Sequence, residues 1–251
     1  MNPMYLSIVT VTLNSLQGLK QTMNSIKSQD IFHAETLEWI VIDGGSTDGT
    51  VHFLQTLCLN FPFIFKSEKD EGVFDAMNKG ISLSSGKSLL FLNSGDIFAS
   101  VDVLTKLSIY LSIQPPRIIS GLVEMTYKTN HKISDLKPWV CHQSVFVPRA
   151  LMEKYMFDET LKYYGDLDLW KRLAKDGRFD VLRLEIIVSK FECGGIGNSP
   201  KNIFNRLRER NLVSVRHKDK IPFFIRLLHS TFLFLIYRLT GIDGYYKYLL
   251  K

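Results

Sequence analysis

Apolar residues in the first hundred positions form short continuous runs that are separated by stretches with helical spacing. The runs are rich in β-branched residues, which is typical of strands buried on both faces of a parallel sheet. They predict strands at Tyr5–Thr12, Leu37–Asp43, Phe63–Ser67 and Ser88–Leu92. The intervening spacing predicts helices over Leu16–Gln29, from about Thr50, and over Asp75–Ser84. This alternation predicts an α/β fold with a mostly parallel sheet flanked by helices.

The pattern loosens after Val103. Further strands are predicted at Arg117–Tyr127 and Asp180–Val188, and further helices at Gly165–Lys175, Asn202–Lys218 and Pro222–Leu239. No linker separates these segments. We therefore predict one α/β domain over residues 1–200, with halves at about 1–100 and 101–200, and a helical extension over residues 201–251.

Charge is distributed unevenly along the chain, although the formal net charge of +6 is modest. Residues 201–251 contain eleven Lys and Arg and three acidic residues, whereas residues 1–200 contain 20 basic and 22 acidic residues. A neutral body with a basic tail indicates an anionic partner for the tail, either a membrane or a nucleic acid. No recognition motif accompanies the charge, so a nucleic acid is not the expected partner.

The basic tail also contains an apolar helical face. Apolar residues recur with helical spacing from Ile221 to Leu239. Arg226 and Arg238 lie within this segment, and further basic residues precede it. Such a segment suits a membrane interface, and packing against the domain or a second subunit in a homodimer suits it almost equally well. The uncharged stretch between the two arginines is too short to span a bilayer, which needs ~20 residues.

The three cysteines and the amino-terminal residues favour a cytoplasmic protein. Cys58, Cys141 and Cys193 are odd in number and widely spaced, which argues against a disulfide framework or a zinc site. The apolar run that starts at Tyr5 is not preceded by the basic region of a signal peptide. A reducing cytoplasm fits both features.

Polar residues gather where the first two predicted strands end. Thr10, Thr12 and Asn14 end the first strand, and Asp43, Gly45 and Ser46 end the second. Ligands of parallel sheets collect at this edge, and a carboxylate beside glycines can accept hydrogen bonds from a base or ribose. We expect a nucleotide site here, although turn or helix-capping chemistry explains Asp43 about equally well.

Two later segments add a basic group and a cation ligand to the same edge. Asp75, Asn78 and Lys79 lie about one helical turn apart, and a lysine near a strand end suits a diphosphate. Ser94, Gly95 and Asp96 follow the fourth strand, where one carboxylate suits Mg²⁺ or Mn²⁺ that takes its other ligands from phosphate. A solvated helix surface and a polar turn are the alternative interpretations.

Together these segments resemble the signature of glycosyltransferase family 2 on a GT-A fold. The resemblance covers roughly residues 5–200 and is nearest to enterobacterial enzymes of colanic acid and O-antigen synthesis. It implies that the segment Ile42–Thr50 holds the nucleoside of a UDP-sugar and that Asn93–Asp96 holds Mn²⁺ or Mg²⁺. Many relatives carry two or three acids at the latter site, whereas this chain has only Asp96.

The resemblance extends to the predicted acceptor half. Asp166 takes the place of the family's general base, and His142, Gln143 and Asp168 are acceptor-site candidates, with helix capping as the alternative for Asp166 and Asp168. The loop from Phe191 to Gly197 resembles a Gly-rich segment near the donor phosphates, with Gly197 where serine is usual.

The expected function is inverting transfer of a UDP-hexose or UDP-N-acetylhexosamine residue to a polyprenyl-diphosphate-linked saccharide at the inner face of the cytoplasmic membrane. Two other functions fit parts of the pattern. A nucleotidyltransferase needs a Gly-rich basic loop after the first strand, which the segment from Leu13 to Gly18 lacks. A non-catalytic nucleotide-sugar-binding or scaffold subunit fits the reduced metal motif but gives Asp166 no role.

Overall fold

The computed structural model describes residues 6–30, 36–113, 116–195 and 199–250. The strands are β1 (Leu6–Thr12), β2 (Leu37–Asp43), β3 (Phe63–Ser67), β4 (Ser88–Phe91), β5 (Ile97–Phe98), β6 (Ile118–Tyr127), β7 (Asn130–Ser134), β8 (Val145–Pro148) and β9 (Val181–Glu192). The helices are α1 (Leu16–Lys27), α2 (Thr50–Thr56), α3 (Val73–Leu83), α4 (Val103–Leu111), α5 (Arg149–Tyr155), α6 (Gly165–Lys175), α7 (Ile203–Arg216) and α8 (Phe223–Leu249).

The first half of the chain forms the parallel part of the sheet, in the order β3-β2-β1-β4. Both β1 and β2 are buried along their whole length, as their continuous apolar runs predict. Thr12 at the end of β1 pairs in register with Asp43 at the end of β2. The polar strand ends therefore lie side by side.

The second half extends this sheet with antiparallel pairings. β8 is inserted between β4 and β6 and is antiparallel to both, and β9 then pairs in parallel with β6. The short β5 closes the order as the antiparallel neighbour of β9, while β7 forms a hairpin with β6. The mostly parallel α/β fold with a C-terminal helical extension is confirmed, although β5, β7 and β8 were not predicted.

Apolar clusters on the two faces of the sheet form the core. One face buries Trp170 and Phe91 among residues of α3, α5 and α6, and the other buries Trp39 beneath α1 and α4. Side chains alternate between the faces along each strand, so Val9 and Val11 belong to the first cluster and Ile8 to the second. Both clusters hold the strand ends in fixed positions.

Helix α8 is longer than the predicted Pro222–Leu239 segment and has two parts. Gly241, with φ 69° and ψ −169°, interrupts its helical geometry. After this kink, Tyr245 and Tyr246 are buried, and the Tyr246 ring lies 4.3 Å from that of Tyr127 in β6. The part before the kink exposes most of its apolar side chains, including Phe224 at 65% and Leu239 at 82%. By length and composition alone, α8 could cross a membrane.

Candidate nucleotide-sugar and acceptor site

Asp43 ends β2 with one carboxylate oxygen fully engaged and the other without a partner. Its Oδ2 accepts hydrogen bonds from the amides of Gly45 (3.1 Å) and Ser46 (3.0 Å) and from the hydroxyl of Ser67 (2.7 Å). Its Oδ1 is buried and accepts no hydrogen bond within the described residues, and the same holds for Oγ1 of the neighbouring Thr12. Buried polar atoms nearly always have partners, so these two indicate a place for ligand hydrogen bonds.

The loops after β1 and β2 are fastened to one another. The Asn14 amide donates to Ser46 Oγ at 2.7 Å, and Asn14 Oδ1 accepts from the Thr47 amide at 2.8 Å. The Asn14 backbone is left-handed, with φ 48°, as is that of Gly45, with φ 88°. Because Asn14 and Ser46 bind each other, they brace the rim of the Asp43 pocket.

Asp70 lies beside Asp43 and was not among the predicted site residues. A side chain at Gly44 would place its Cβ only 2.5 Å from Asp70 Oδ2, so the carboxylate lies directly over the Gly44 backbone. Burial raises the pKa of Asp70, and the charge of Asp43 acts in the same direction. Its position just after β3 is the signal that would have found it, because the polar ends of neighbouring parallel strands meet.

The structure replaces the nucleotide-binding roles predicted for Thr10 and Asn78 with structural ones. The Thr10 hydroxyl is buried and accepts a 2.9 Å hydrogen bond from the Trp39 indole. The Asn78 amide donates to the Phe157 carbonyl at 3.0 Å and accepts from the Phe157 amide at 2.8 Å, which ties α3 to the loop after α5. Both side chains are therefore engaged with groups of the protein itself.

Lys79 lies near Asp70 with its charge already balanced. Its ammonium group pairs with Asp75 at 3.0 Å and with Glu68 at 3.1 Å. The Glu71 amide donates to Asp75, and this bond, together with Lys79, lowers the pKa of Asp75 against the effect of burial. The predicted diphosphate contact of Lys79 would therefore need one of these ion pairs to open.

Asp96 is a buried acid on the loop after β4. Its Oδ2 accepts a hydrogen bond from the Asn93 amide at 3.0 Å. Burial raises its pKa to about 7, against the opposing effects of His142, the Asn93 amide and Gln143. The Thr22 hydroxyl of α1, missed in the sequence, holds this loop by donating to the Asp96 carbonyl at 2.8 Å and accepting from the Gly95 amide at 3.0 Å.

The other three residues of this loop, Asn93, Ser94 and Gly95, have different surroundings. Ser94 donates its hydroxyl to the Ser15 carbonyl at 3.0 Å, so it braces the loop against the start of α1. Gly95 has φ 99°, and a Cβ built on it would meet no atom within 4 Å, so its backbone is open to a ligand. Asn93 Oδ1, by contrast, is buried and unpartnered in the described part of the chain.

His142 joins the Asp96 loop to Asp166. Its Nδ1 lies 3.3 Å from Asp166 Oδ2, and its Nε2 lies 3.4 Å from Asn93 Nδ2. Gln143 contacts Asp96 on one side and accepts a hydrogen bond from the Cys141 thiol on the other. The structure therefore brings the predicted cation ligand, the predicted base and two of the three acceptor-site candidates into one cluster.

The loop after β4 offers a single carboxylate, which suits a cation that takes most of its ligands from phosphate. The described residues contain no group of three or more His, Cys, Asp and Glu side chains arranged as a metal site. Asp96 offers a buried carboxylate whose hydrogen bonds come from neutral groups, and Asn93 Oδ1 is a free buried acceptor. One carboxylate with an amide oxygen suits Mg²⁺ or Mn²⁺ bound through a diphosphate.

Asp168 is an anchor for α7, which corrects its predicted place in the acceptor site. Its side chain is 0% exposed and accepts hydrogen bonds from Arg172 (2.8 Å), Arg216 (2.9 Å) and His217 (2.9 Å). Burial opposes ionisation, but the bonds to His217 and Arg172 outweigh it and lower the pKa of Asp168. No acceptor group can reach a carboxylate enclosed in this way.

Glu209 of α7 holds the loop that leads to Asp166, and sequence analysis missed it. Its carboxylate accepts hydrogen bonds from the amides of Lys162 (2.9 Å), Tyr163 (2.7 Å) and Tyr164 (2.7 Å). Asp166 follows two residues later, in the first turn of α6. The extension is therefore attached to the candidate base from both sides, through Glu209 before it and Asp168 after it.

The predicted Gly-rich loop is described only in part. Gly194 has φ 146°, and a Cβ on it would meet no atom within 4 Å. Ile196, Gly197 and Asn198 lie outside the described residues. The predicted place of this loop near the donor phosphates remains a sequence-based prediction.

Comparison with known proteins identifies the class to which this fold and site belong. The family profile described as Glycosyl transferase family 2 matches residues 7–156, and the chain belongs to this family. An uncharacterized glycosyltransferase of Mycobacterium tuberculosis is 30% identical over 227 residues, which cover 80% of this chain and 81% of the relative. A PGL/p-HBAD biosynthesis glycosyltransferase of Mycobacterium bovis is 28% identical over 229 residues, covering 85% and 88%.

Solved structures with the same fold include two nucleotide-sugar complexes. S. aureus TarS in complex with UDP-GlcNAc matches with a TM-score of 0.67 and 17% identity, over 88% of this chain and 69% of that structure. The mannosyltransferase PcManGT from Pyrobaculum calidifontis, in complex with GDP-Man and Mn²⁺, matches with a TM-score of 0.68 and 15% identity, over 98% and 76%. The two relatives named above are mycobacterial, so they do not support the predicted likeness to enterobacterial enzymes.

Proposed function

We propose that this family 2 glycosyltransferase is an inverting enzyme that transfers a hexose or N-acetylhexosamine from UDP to a lipid-diphosphate-linked glycan. The product would carry a β-linkage, and the reaction would serve O-antigen or related surface polysaccharide synthesis. The observation that carries the proposal is a row of buried polar atoms at adjacent strand ends that have no partner in the described part of the chain: Thr12 Oγ1, Asp43 Oδ1 and Asn93 Oδ1.

The Asp43 pocket supports a uracil base in the donor. With Oδ2 occupied by three donors, Oδ1 is left as a charged acceptor in a dry site. Such an acceptor matches the imide N–H of uracil, while Thr12 can serve a carbonyl or ribose hydroxyl. The structural neighbour TarS was solved with UDP-GlcNAc, which agrees with a UDP-sugar here.

Asp166 would act as the general base for the acceptor. The acceptor hydroxyl attacks the anomeric carbon, the bond from that carbon to the β-phosphate oxygen breaks, and the hydroxyl proton passes to the Asp166 carboxylate. Asp166 Oδ1 accepts the Leu167 amide at 2.7 Å, while Oδ2 faces His142. His142 thus orients the carboxylate toward the cluster that contains Asp96.

Asp96 and Asn93 would hold a divalent cation together with the donor diphosphate. When bound, Mn²⁺ or Mg²⁺ supplies positive charge that stabilises the leaving UDP. Burial raises the pKa of Asp96 to about 7, and a bound cation would lower that pKa and keep the carboxylate ionised. The structural neighbour PcManGT was solved with GDP-Man and Mn²⁺, which agrees with a divalent cation here.

The first part of α8 would lie in the inner surface of the cytoplasmic membrane, which makes the enzyme peripheral. Its exposed apolar residues include Phe223, Phe224, Ile225, Leu228, Phe232, Leu235 and Leu239. The extension carries a net charge of +8, which suits an anionic lipid surface better than a second copy of the same basic segment. Vesicle binding tests this placement, and a homodimer that fails to bind vesicles would contradict it.

The deciding experiment measures UDP release from a panel of UDP-sugars with a synthetic lipid-diphosphate-sugar acceptor, in Mn²⁺, in Mg²⁺ and in chelator. Turnover with one donor that chelator abolishes is the expected result. GDP-mannose serves as the control donor. If calorimetry shows donor binding but no donor gives turnover, the chain is instead the non-catalytic binding subunit that the reduced metal motif also allows.

A further inference from the structure

Two arginines of α7 are partly buried and form no ion pair with an acidic side chain within the described residues, although the charge of Arg210 acts on Asp219. Within those residues, Nε and Nη1 of Arg206 and Nε of Arg210 are buried without a hydrogen-bond partner. Arg216 on the same helix, by contrast, pairs with Asp158 at 2.6 Å and with Asp168 at 2.9 Å. Buried guanidinium N–H groups that lack acceptors are costly, so the pair indicates an anion supplied by a ligand.

Both arginines converge on one tyrosine next to the candidate base. They are four residues apart and so share one face of α7. The Arg210 guanidinium lies 5.2 Å from the centre of the Tyr164 ring, and Arg206 lies beside Tyr164 and Tyr245. Tyr164 immediately precedes α6 and lies two positions before Asp166. The Tyr245 hydroxyl, from the buried end of α8, is buried next to Arg206.

We propose that Arg206 and Arg210 bind a lipid-borne phosphate group, and that this group is the diphosphate joining the acceptor glycan to its lipid. This inference rests on the proposed function and adds a residue-level site for the acceptor's anionic end. Guanidinium groups match phosphate oxygens in charge and in planar geometry, which suits a diphosphate better than a neutral sugar.

The position of the two arginines explains why this phosphate would belong to the acceptor. A lipid-linked acceptor carries its first sugar directly on the diphosphate, so an anion held beside Tyr164 places that sugar next to α6 and Asp166. The exposed apolar part of α8 begins within the same extension and offers a surface for the lipid chain. The donor diphosphate, by contrast, is assigned to the Asp96 loop.

The test uses the full chain with Arg206→Gln, Arg210→Gln and the double variant. Arg208→Gln is the matched control, because Arg208 is an exposed residue of the same helix between the other two. The KM for a lipid-diphosphate acceptor should rise at least about tenfold in the double variant. The KM for an uncharged glycoside of the same sugar, the donor KM and the melting temperature should stay near the values of the control.

Binding of farnesyl diphosphate by calorimetry is measured in parallel, because it does not depend on turnover. Weaker binding by the double variant than by Arg208→Gln supports the phosphate site even if no sugar is transferred, in which case only the proposed function fails. If acceptor KM is unchanged but binding to phosphatidylglycerol vesicles falls, the phosphate is that of bulk membrane lipid. If the double variant equals Arg208→Gln in acceptor KM, in farnesyl diphosphate binding and in vesicle binding, the site does not exist.

Discussion

The donor end and the acceptor end of this enzyme are built in different ways. At the donor end, residues close to the strand ends hold each other, as when Asn14 binds Ser46 and Ser67 binds Asp43. At the acceptor end, the segment around Asp166 is held by α7, more than forty residues further along the chain. The difference separates two proposed tasks: a nucleotide pocket with groups left unpaired among the described residues, and a base whose position depends on a distant helix.

The largest effect should come from replacing the base itself. Asp166→Asn removes the proton acceptor but keeps the shape of the side chain, so kcat should fall by about 10²–10⁴-fold. Donor binding, measured by calorimetry with UDP, should remain near normal because the Asp43 pocket is untouched. Asp176→Asn, at the opposite end of α6, is the control. A fully active Asp166→Asn enzyme would remove the proposed mechanism.

Asp168→Asn should show how strongly the acceptor half depends on α7. The change leaves Arg172 and Arg216 without their buried counter-charge, and we expect a loss of about 3 kcal/mol in the free energy of unfolding at pH 7. Urea melts measure this loss.

The same variant carries a pH dependence whose sign follows from the lowered pKa of Asp168. The carboxylate stabilises the fold above its unfolded pKa of about 3.9, and this contribution disappears as pH falls through the lower folded value. The difference in the free energy of unfolding between wild type and variant should therefore become smaller when the urea melts are repeated toward pH 3. A difference that becomes larger in acid would contradict the lowered pKa of Asp168.

Asp43→Asn should affect the donor end alone. The amide places a donor or a weaker neutral acceptor where Oδ1 now offers a charged one, so UDP should bind about 10–100-fold more weakly. The acceptor KM and the melting temperature should change little. If UDP binding is unaltered while stability falls, Asp43 is only a turn-forming residue, as one interpretation of the sequence holds.

Glu209→Gln should give the smallest effect. It tests most directly whether α7 positions the acceptor end without affecting the donor end. The glutamine keeps one acceptor oxygen for the three amides of Lys162, Tyr163 and Tyr164, so kcat should fall by about tenfold through poorer placement of Asp166. UDP binding should not change. A positioning role also predicts a shifted pH profile of kcat, and a change in melting temperature with no kinetic effect would reduce Glu209 to a purely structural residue.

The side-by-side placement of the polar strand ends could be predicted because these residues closely follow buried strands. Asp43, Asp96 and Thr12 could be placed on one edge by strand order alone. Thr10 was misassigned because a strand period of two places it on the same face as Thr12, while only the fold shows that Trp39 reaches it. Asn78 could not be separated from its neighbours without knowing that the loop at Phe157 packs on α3.

The acceptor end was harder to predict because its contacts join distant positions. No spacing rule connects Glu209 to the amides of Lys162–Tyr164, or Asp168 to Arg216. The short β8, with four residues, lies between β4 and β6 without a strong pattern of its own. The proximity of His142 to Asp166 likewise depends on this antiparallel insertion, so the resemblance indicated both residues but only the fold joins them.

The attachment of α7 to α6 bears on how the polypeptide can be divided. The family profile ends at residue 156, and the sequence suggested a boundary near residue 200. A fragment that ends near residue 200 loses the Glu209 carboxylate and two of the three groups that bind Asp168, Arg216 and His217, which leaves three amides and one buried acid exposed to competing water. A fragment that ends at residue 156 lacks α6 and Asp166 altogether. Cooperative unfolding should therefore include α7, and the smallest fragment able to refold would extend at least to His217.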